Sequence, residues 1–398
     1  MSKLNIDQID LAGRRVLVRL DMNVPLSGFE GDIQVGDDTR LTAVLPTVRA
    51  IYEAGGRAIL MSHLGRPGGK VVEKYSLRPV AEHLAGLLNL AVTFVPAVTG
   101  SLVDEAVSDA TPGDILVLEN TRFEPGETRN DPVLAQRMAG VGDVFINDAF
   151  GTAHRAHAST EGIAHHISQS GTGYLMQREI SYLSRLLDEP ARPFIGILGG
   201  AKVSDKIALI QQLLERVDFL LIGGAMSYTF LKAMGQNTGT SLVEDDLLGL
   251  AAELLNQSGE RLILPSDHVT ADSFSNDAAT SVSNGRIPDG NMGLDIGPVT
   301  QKRYRELILR AKTIVWNGPM GVFEMSNFAG GTLAVAQAMA DATDNNALTV
   351  VGGGDSVAAI HQVNLADRVS HVSTGGGAML EFLEGKTLPG IAALTDAN

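Results

Sequence analysis

Phe194-Ile-Gly-Ile-Leu-Gly-Gly-Ala-Lys-Val-Ser-Asp-Lys-Ile207 is the stretch whose reading decides the fold. Its first five residues form a short apolar run that stops at Gly199 and Gly200, the pattern of a buried strand. Beyond the turn, Ile207, Ile210, Leu213, Leu214 and Val217 recur at helical spacing and make one apolar face. Ser204 is placed to cap that helix. The segment therefore reads as strand, glycine turn, helix. Lys206 falls where the partial positive charge of a helix start disfavours a cation by roughly 0.3–1 kcal/mol, and Lys202 lies in the turn just before it. Two lysines there are either solvated surface residues or attendants of an anion docked on backbone N–H groups. The turn is not a standard P-loop. Ala201 precedes Lys202 and Val203 follows it, so the hydroxyl that would bind Mg2+ is missing.

The 398 residues suffice for two domains with full cores. With 44% hydrophobic and 19% charged residues, the chain is globular rather than disordered. No apolar run reaches membrane-spanning length, and Met1 to Arg15 lacks the apolar core of a signal peptide, so a cytoplasmic protein without a membrane partner is expected. The absence of cysteine excludes disulfides and thiolate metal sites. A net charge of −15 argues against nonspecific nucleic-acid binding and makes any local basic cluster informative.

The first half alternates strands and helices. Strands are predicted at Val16–Leu20, Ala58–Met61, Ala91–Val95, Ile115–Leu118 and Val144–Ile146. Asp37 and Asp38 open a helix with Leu41, Val44, Leu45, Val48 and Ile51 inward. Pro46 should kink that helix or shift its start, and Gly55 and Gly56 end it. Ser76 caps another helix that runs to about Leu88. The repeated unit implies a mostly parallel sheet with helices on both faces. Polar clusters follow several strand ends: Asp21 and Asn23, His63 and Arg66, Arg122, and the run through Arg155. Arg40 starts a helix. Ligands of open α/β sheets bind at strand ends, and arginine forks phosphate and carboxylate. Each arginine alone reads as surface decoration; together they favour a small anionic ligand. His154, His157, His165 and His166 lie close in sequence, but no cysteine or matched carboxylate spacing makes them a zinc site.

Gly171-Thr-Gly173 marks a boundary, followed by a connecting helix and a second α/β pattern from Phe194. Strands there are predicted near Phe219–Ile222, Leu262–Leu264, Thr313–Val315 and Leu348–Val351. Trp316-Asn-Gly-Pro-Met-Gly-Val-Phe-Glu324 is a glycine-rich loop ending in a carboxylate. Val351-Gly-Gly-Gly-Asp355-Ser356 reads as strand, glycine turn and a helix start at Ser356, and His371-Val-Ser-Thr-Gly-Gly-Gly377 repeats the design. Such turns let backbone N–H groups approach phosphates. Asp355 is the best candidate for a Mg2+ carboxylate, since Mg2+ takes one or two carboxylates plus substrate phosphates.

These residues resemble the phosphoglycerate kinase family over nearly the whole chain. The matching runs include Arg19-Leu-Asp-Met-Asn-Val-Pro25, Asp37-Asp-Thr-Arg40, His63-Leu-Gly-Arg66, Glu119-Asn-Thr-Arg-Phe-Glu-Pro-Gly-Glu127 and Asn147-Asp-Ala-Phe-Gly-Thr-Ala-His-Arg155. In the second half they include Leu198-Gly-Gly-Ala-Lys-Val-Ser-Asp-Lys206, Asp295-Ile-Gly-Pro298, Val315 to Glu324, Gly352-Gly-Gly-Asp-Ser356 and Ser373-Thr-Gly-Gly-Gly377. The resemblance implies two doubly wound, Rossmann-like parallel-sheet domains joined by a helix and hinge. The expected limits are 1–172 for a phosphoglycerate-binding domain, 173–188 for the helix, 189–377 for a Mg-nucleotide domain and 378–398 for a segment returning to the first. It implies transfer between 1,3-bisphosphoglycerate with ADP and 3-phosphoglycerate with ATP, and a monomer with no nucleic-acid partner. Asp21, Asn23, Arg40, His63, Arg66, Arg122 and Arg155 would hold the glycerate. Gly199, Ala201, Lys206, Gly223, Gly321, Glu324, Gly352, Gly353, Gly354, Asp355 and Ser356 would hold the nucleotide, with Asp355 on the metal. Arg40, Lys202 and Gly376 would be catalytic. Ala225-Met-Ser-Tyr228, Thr121 and Asn291 depart from the usual family pattern and touch the nucleotide side or packing.

The chemistry agrees. A loose phosphoryl transition state needs positioning and positive charge. The leaving group in ATP formation, and the nucleophile in reverse, is a carboxylate ionised at neutral pH, so neither direction needs a general base. A nicotinamide oxidoreductase would need a Gly-x-Gly-x-x-Gly run, which is missing. A noncatalytic two-lobed anion binder would not need Glu324, Asp355 and the paired lysines besides the arginines.

Overall fold

The computed structural model describes residues 3–29 and 32–397; the expected outer domain limits, Met1 and Asn398, lie outside the described residues. The chain divides into two compact units, one running to Ser181 and resuming at Thr387, the other Tyr182–Lys386. The division falls inside the helix Tyr174–Leu187. Among the described residues no helix is long and apolar enough to cross a membrane.

In the first unit six parallel strands form one sheet: β1 Arg15–Arg19, β2 Arg57–Met61, β3 Thr93–Val95, β4 Ile115–Leu118, β5 Val144–Asn147 and β6 Ser170–Thr172. Their order is β3-β4-β2-β1-β5-β6. Alternate residues pack to opposite faces. Val16 and Val18 join Leu41, Val44, Val48 and Ile51 of the helix Thr39–Glu53, whereas Leu17, Ile59 and Met61 join Val103, Val107, Leu134 and Met138 on the other side. Both faces are thus covered, as near-continuous apolar strands require. Gly171 belongs to edge strand β6, not to a loop. A side chain there would meet Ile9 at 2.8 Å and the Leu4 carbonyl at 3.0 Å, so glycine serves close packing at this position.

The second unit repeats the plan with β7 Phe194–Leu198, β8 Phe219–Ile222, β9 Leu262–Ile263, β10 Thr313–Asn317, β11 Leu348–Gly352 and β12 His371–Val372, ordered β9-β8-β7-β10-β11-β12. In each sheet the order reverses beside the strand that comes first in sequence, between β1 and β5 and between β7 and β10. The crevice at such a reversal is where open α/β sheets bind ligands.

Several local expectations are corrected. The helix after the opening turn spans Ile207–Leu214, and Ser204 does not cap it; the Ser204 hydroxyl donates to Glu244 instead, at 2.5 Å. The helix Gly354–Gln362 begins before Ser356, whose buried hydroxyl accepts the Gly318 N–H at 2.5 Å. The helix Arg78–Leu88 starts two residues past Ser76, whose hydroxyl nonetheless accepts the N–H of its first residue, Arg78, at 3.3 Å. Pro46 sits within the unbroken assignment Thr39–Glu53 and does not shift its start. Two antiparallel pieces are absent from the sequence reading: the hairpin Leu26–Phe29 with Asp32–Val35, and a sheet with Asp267–Ala271 flanked by Ser281–Asn284 and Met292–Ile296. Polar strands such as Ser281–Asn284, mostly exposed, carry no apolar run to announce them.

That second sheet holds a buried imidazole. His268 is fully buried, tilts against Tyr228 at 5.4 Å between ring centroids, and has no hydrogen-bond partner for either ring nitrogen among the described residues. Burial pulls it down to about 4. The unfolded chain takes up a proton here below about pH 6.5 that the folded chain refuses until about 4. Stability is therefore lost as pH falls across that window, on the order of 2 kcal/mol by pH 5. We expect His268→Val to lose less thermal midpoint than the parent between pH 7 and pH 5; equal losses in scanning calorimetry would refute this.

Candidate active site

In the first unit, β1, β2, β4 and β5 deliver the polar clusters at their C-terminal ends. Asp21 is buried, and its carboxylate accepts from Arg40 at 3.0 Å. Arg40 also donates to the Asn23 carbonyl at 3.3 Å. The Asn23 side-chain oxygen takes the Gly65 N–H at 2.9 Å, which fixes the His63–Arg66 turn against the first strand end. Asn120 continues this scaffold by accepting from Leu64 and Arg122 N–H and donating to the Leu64 and Tyr75 carbonyls. Arg122 donates to the Gly65 carbonyl at 2.7 Å. Arg66 is exposed, and Arg155 is half-buried with its Nε on His154 at 3.1 Å.

The charges of this cluster act on one another. His63 is buried, and burial holds its imidazole well below the ordinary value, helped by Arg19, Arg122, Arg155 and Arg40. It is neutral at pH 7. Arg19 donates to its Nδ1 at 3.2 Å, so the ring proton stays on Nε2 and makes that nitrogen the donor. Arg122 is lowered to about 10 by burial and by Arg155 and Arg19, and it still carries its charge. Gathering like charges at strand ends is costly unless an anion arrives to balance them.

Three residues whose roles were not assigned from sequence sit behind this cluster. Arg19 is fully buried, as is Glu127. The Ser159 hydroxyl joins them, accepting from Arg19 Nε at 2.9 Å and donating to Glu127 at 2.6 Å. Glu127 further accepts the Ser159 N–H and the Thr121 hydroxyl, which gives the unusual Thr121 a partner. A buried, hydrogen-bonded carboxylate thus compensates Arg19, as buried ions require. The 108-residue gap between Arg19 and Glu127 left no signal in the sequence.

In the second unit, Asn317 at the end of β10 pairs in register with Leu198 of β7 and with Gly352 of β11, so three strand ends are level. The Lys206 ammonium reaches across them to the Asn317 carbonyl at 3.0 Å and to its side-chain oxygen. Burial pulls Lys206 down to about 8, with Asp355 and Asp205 opposing. Asn317 is a further residue without an assigned role; its side-chain nitrogen is buried and lacks a partner among the described residues. Gly199 admits no side chain, because a Cβ would lie 2.0 Å from the Pro319 carbonyl. Gly223 similarly faces Met320, Gly321 faces Asp295 and Gly352 faces Met379. Gly353 has φ +86, a left-handed value that suits glycine, and Gly354 opens the helix that carries Asp355 in its first turn. Ala201, Lys202, Glu324 and Asp355 are exposed. Gly376 is the first residue of the helix Gly376–Leu383.

Of the two readings left open for Lys202 and Lys206, an external anion on the N–H groups just after Lys202 does not fit the structure. Glu244 already occupies them, accepting from Val203 N–H at 2.6 Å, Ser204 N–H at 3.1 Å and the Ser204 hydroxyl. Burial would raise this carboxyl, but the bonds from Ser204 and Val203 and the charge of Lys202 outweigh it and hold the group below the usual carboxylate range.

Among the described residues no three His, Asp or Glu side chains converge to hold a metal by themselves. The Asp355 carboxylate makes no hydrogen bond or ion pair there, and its charge acts on Lys206. A lone carboxylate in such a place fits Mg2+ carried in on phosphates.

A sequence profile of the phosphoglycerate kinase family matches residues 6–386. The chain is 54% identical over 398 residues to a phosphoglycerate kinase of Salinibacter ruber and 55% over 404 residues to one of Chloroflexus aurantiacus, with all of each chain covered. Its fold is similar to the solved phosphoglycerate kinase of Coxiella burnetii, with a TM-score of 0.89 at 41% identity and 98% of each chain covered. The enzyme of Pyrococcus horikoshii matches at 0.84 and 31% identity, over 99% of this chain and 98% of that one.

Proposed function

The chain belongs to the phosphoglycerate kinase family, ATP-dependent phosphotransferases with a carboxyl acceptor, and on that premise we propose how its residues divide the reaction. The first unit binds the glycerate. Arg66, Arg122 and Arg155 take its anionic groups, His63 donates from Nε2, and Asn23 and Asp21 hold the turn and Arg40 in place. The second unit binds the nucleotide. Exposed Ala201 and Gly354 and half-buried Gly353 line it, Gly199, Gly223, Gly321 and Gly352 let the turns beneath it pack closely, Glu324 takes the ribose, and Lys206 and Ser356 lie on the phosphate side. Asp355 would hold Mg2+, whose charge, when bound, offsets that developing on the phosphate oxygens.

In ATP formation the bond from phosphorus to the acyl carboxylate oxygen breaks, and one forms to an oxygen of the terminal phosphate of ADP. The leaving carboxylate is already stable as an anion, so no side chain must supply a proton. Arg40, Lys202 and the N–H of Gly376 act on the transferred group, where charge is greatest in the transition state. The observation that most supports this reading is the arginine cluster around a neutral His63, charge without an acid–base pair. Coupled ATP consumption that depends on 3-phosphoglycerate tests it; no turnover with that acceptor would refute it.

Lys206 adds a pH signature. Its charge is present below about 8 and lost above, so Mg-ATP binding should weaken as pH rises through that value. If only the protonated form binds, the apparent affinity falls roughly tenfold from pH 7 to pH 9. Calorimetry should show this slope in the parent and a nearly flat profile in Lys206→Arg; a flat parent profile would reject the assignment.

A further inference from the structure

We propose that Glu244 is a positioning residue for Lys202, an internal anion that fixes the turn from which this lysine reaches the reacting phosphoryl group. The proposal rests on the catalytic reading of Lys202 given above and adds the residue through which its placement is set.

The Lys202 ammonium makes no hydrogen bond or ion pair among the described residues, and its side chain is exposed. Its position is therefore set through its backbone. On one side that backbone is tied at Gly200, whose N–H donates to the Pro319 carbonyl and whose carbonyl accepts from Met226 N–H, both at 3.0 Å, and then passes through exposed Ala201. On the other side the next two N–H groups, of Val203 and Ser204, both end on the Glu244 carboxylate, and the Ser204 hydroxyl joins them. Lys206, at the far end of the same turn, is held separately by Asn317. Glu244 is itself anchored: its N–H donates to Thr229 Oγ1 at 3.1 Å and its carbonyl accepts from Leu247 at 3.0 Å. A carboxylate on two successive amides is a charge-assisted clamp with defined direction. Without it, those amides turn to water and Lys202 samples other positions, which reduces the fraction of complexes in reacting geometry.

The test uses the full chain with Glu244→Ala, Glu244→Gln, Lys202→Ala and the Glu244→Ala/Lys202→Ala pair. Glu244→Ala should lower kcat about tenfold, well below the 10²–10³ expected for losing the lysine itself, with KM for 3-phosphoglycerate unchanged. Glu244→Gln, which keeps an acceptor oxygen, should fall between. Amide exchange at Val203 and Ser204 should quicken in Glu244→Ala. In the Lys202→Ala background the second substitution should cost less than about twofold, because residues acting as a unit are not additive. Slow Lys202→Ala with wild-type turnover in Glu244→Ala overturns this inference alone, as does a double variant in which the losses multiply. Wild-type turnover in Lys202→Ala overturns the site reading and this inference with it. Ser204→Ala, which removes only the hydroxyl contact, should give a smaller kcat loss in the same direction and guards against misfolding of the Glu244 variants; no loss in Ser204→Ala together with a misfolded Glu244→Ala counts against the proposal.

Discussion

Arg40→Ala and Lys202→Ala should each lower kcat by on the order of 10²–10³, the scale for removing one preorganised donor from a developing charge, while KM should move by much less. In the proposed site both cations would act on a phosphoryl group whose oxygens and bridging bonds carry more charge in the transition state than in either bound substrate. The two should differ in secondary effects. Arg40 is tied to Asp21 at 3.0 Å and to the Asn23 carbonyl. Its loss therefore takes the ion-pair partner from a buried carboxylate and should cost some stability of the first unit. Lys202 is in no ion pair among the described residues and only attracts Glu244 from a distance, so its removal should change the thermal midpoint less. Steady-state kinetics together with calorimetric melting separate the two. A variant in which only KM rises, with kcat at the parent level, would show that its cation binds ground state and transition state alike.

Asp355→Asn should weaken Mg-nucleotide binding roughly tenfold to a hundredfold, the range seen even when residues that only support a metal ligand are changed. Binding of 3-phosphoglycerate should stay near the parent value, because the arginine cluster belongs to a separate compact unit. The substitution keeps size and hydrogen-bonding capacity but removes the charge that Mg2+ prefers. It also removes one of the two carboxylates that oppose the lowering of Lys206. The pH at which Mg-ATP binding declines should therefore move down in this variant. Titration calorimetry with Mg-ATP and with 3-phosphoglycerate checks both halves; unchanged Mg-ATP affinity with unchanged turnover would refute the ligand role.

Much of the frame was legible in the residues. The apolar runs at Phe194–Leu198, Ile115–Leu118 and Phe219–Ile222 are strands with those same limits, because a strand buried on both faces must be apolar throughout and a glycine or polar residue must end it. The arginines were legible as a group because they follow strand ends, where a parallel sheet opens to ligands. Helix starts were less legible. Ser204 and Ser356 each have the composition of a cap, but a hydroxyl bonds whichever partner the tertiary fold brings near, here Glu244 and Gly318.

The sequence by itself determined the fold class, the alternation of strands and helices, and the residue types that can meet anions, since periodicity and glycine placement are local properties of the chain. Only the tertiary structure decided which groups hold those residues ready. The Ser159 bridge between Arg19 and Glu127, the donation from Arg19 that leaves the His63 proton on Nε2, and the level ends of three strands that let Lys206 reach Asn317 all join residues tens to more than a hundred positions apart. Local sequence cannot encode such distances. Glu244 is the plainest case: nothing in Glu244-Asp-Asp246 distinguishes it from a surface acid, and its meaning comes from the two N–H groups that folding places 2.6 and 3.1 Å away.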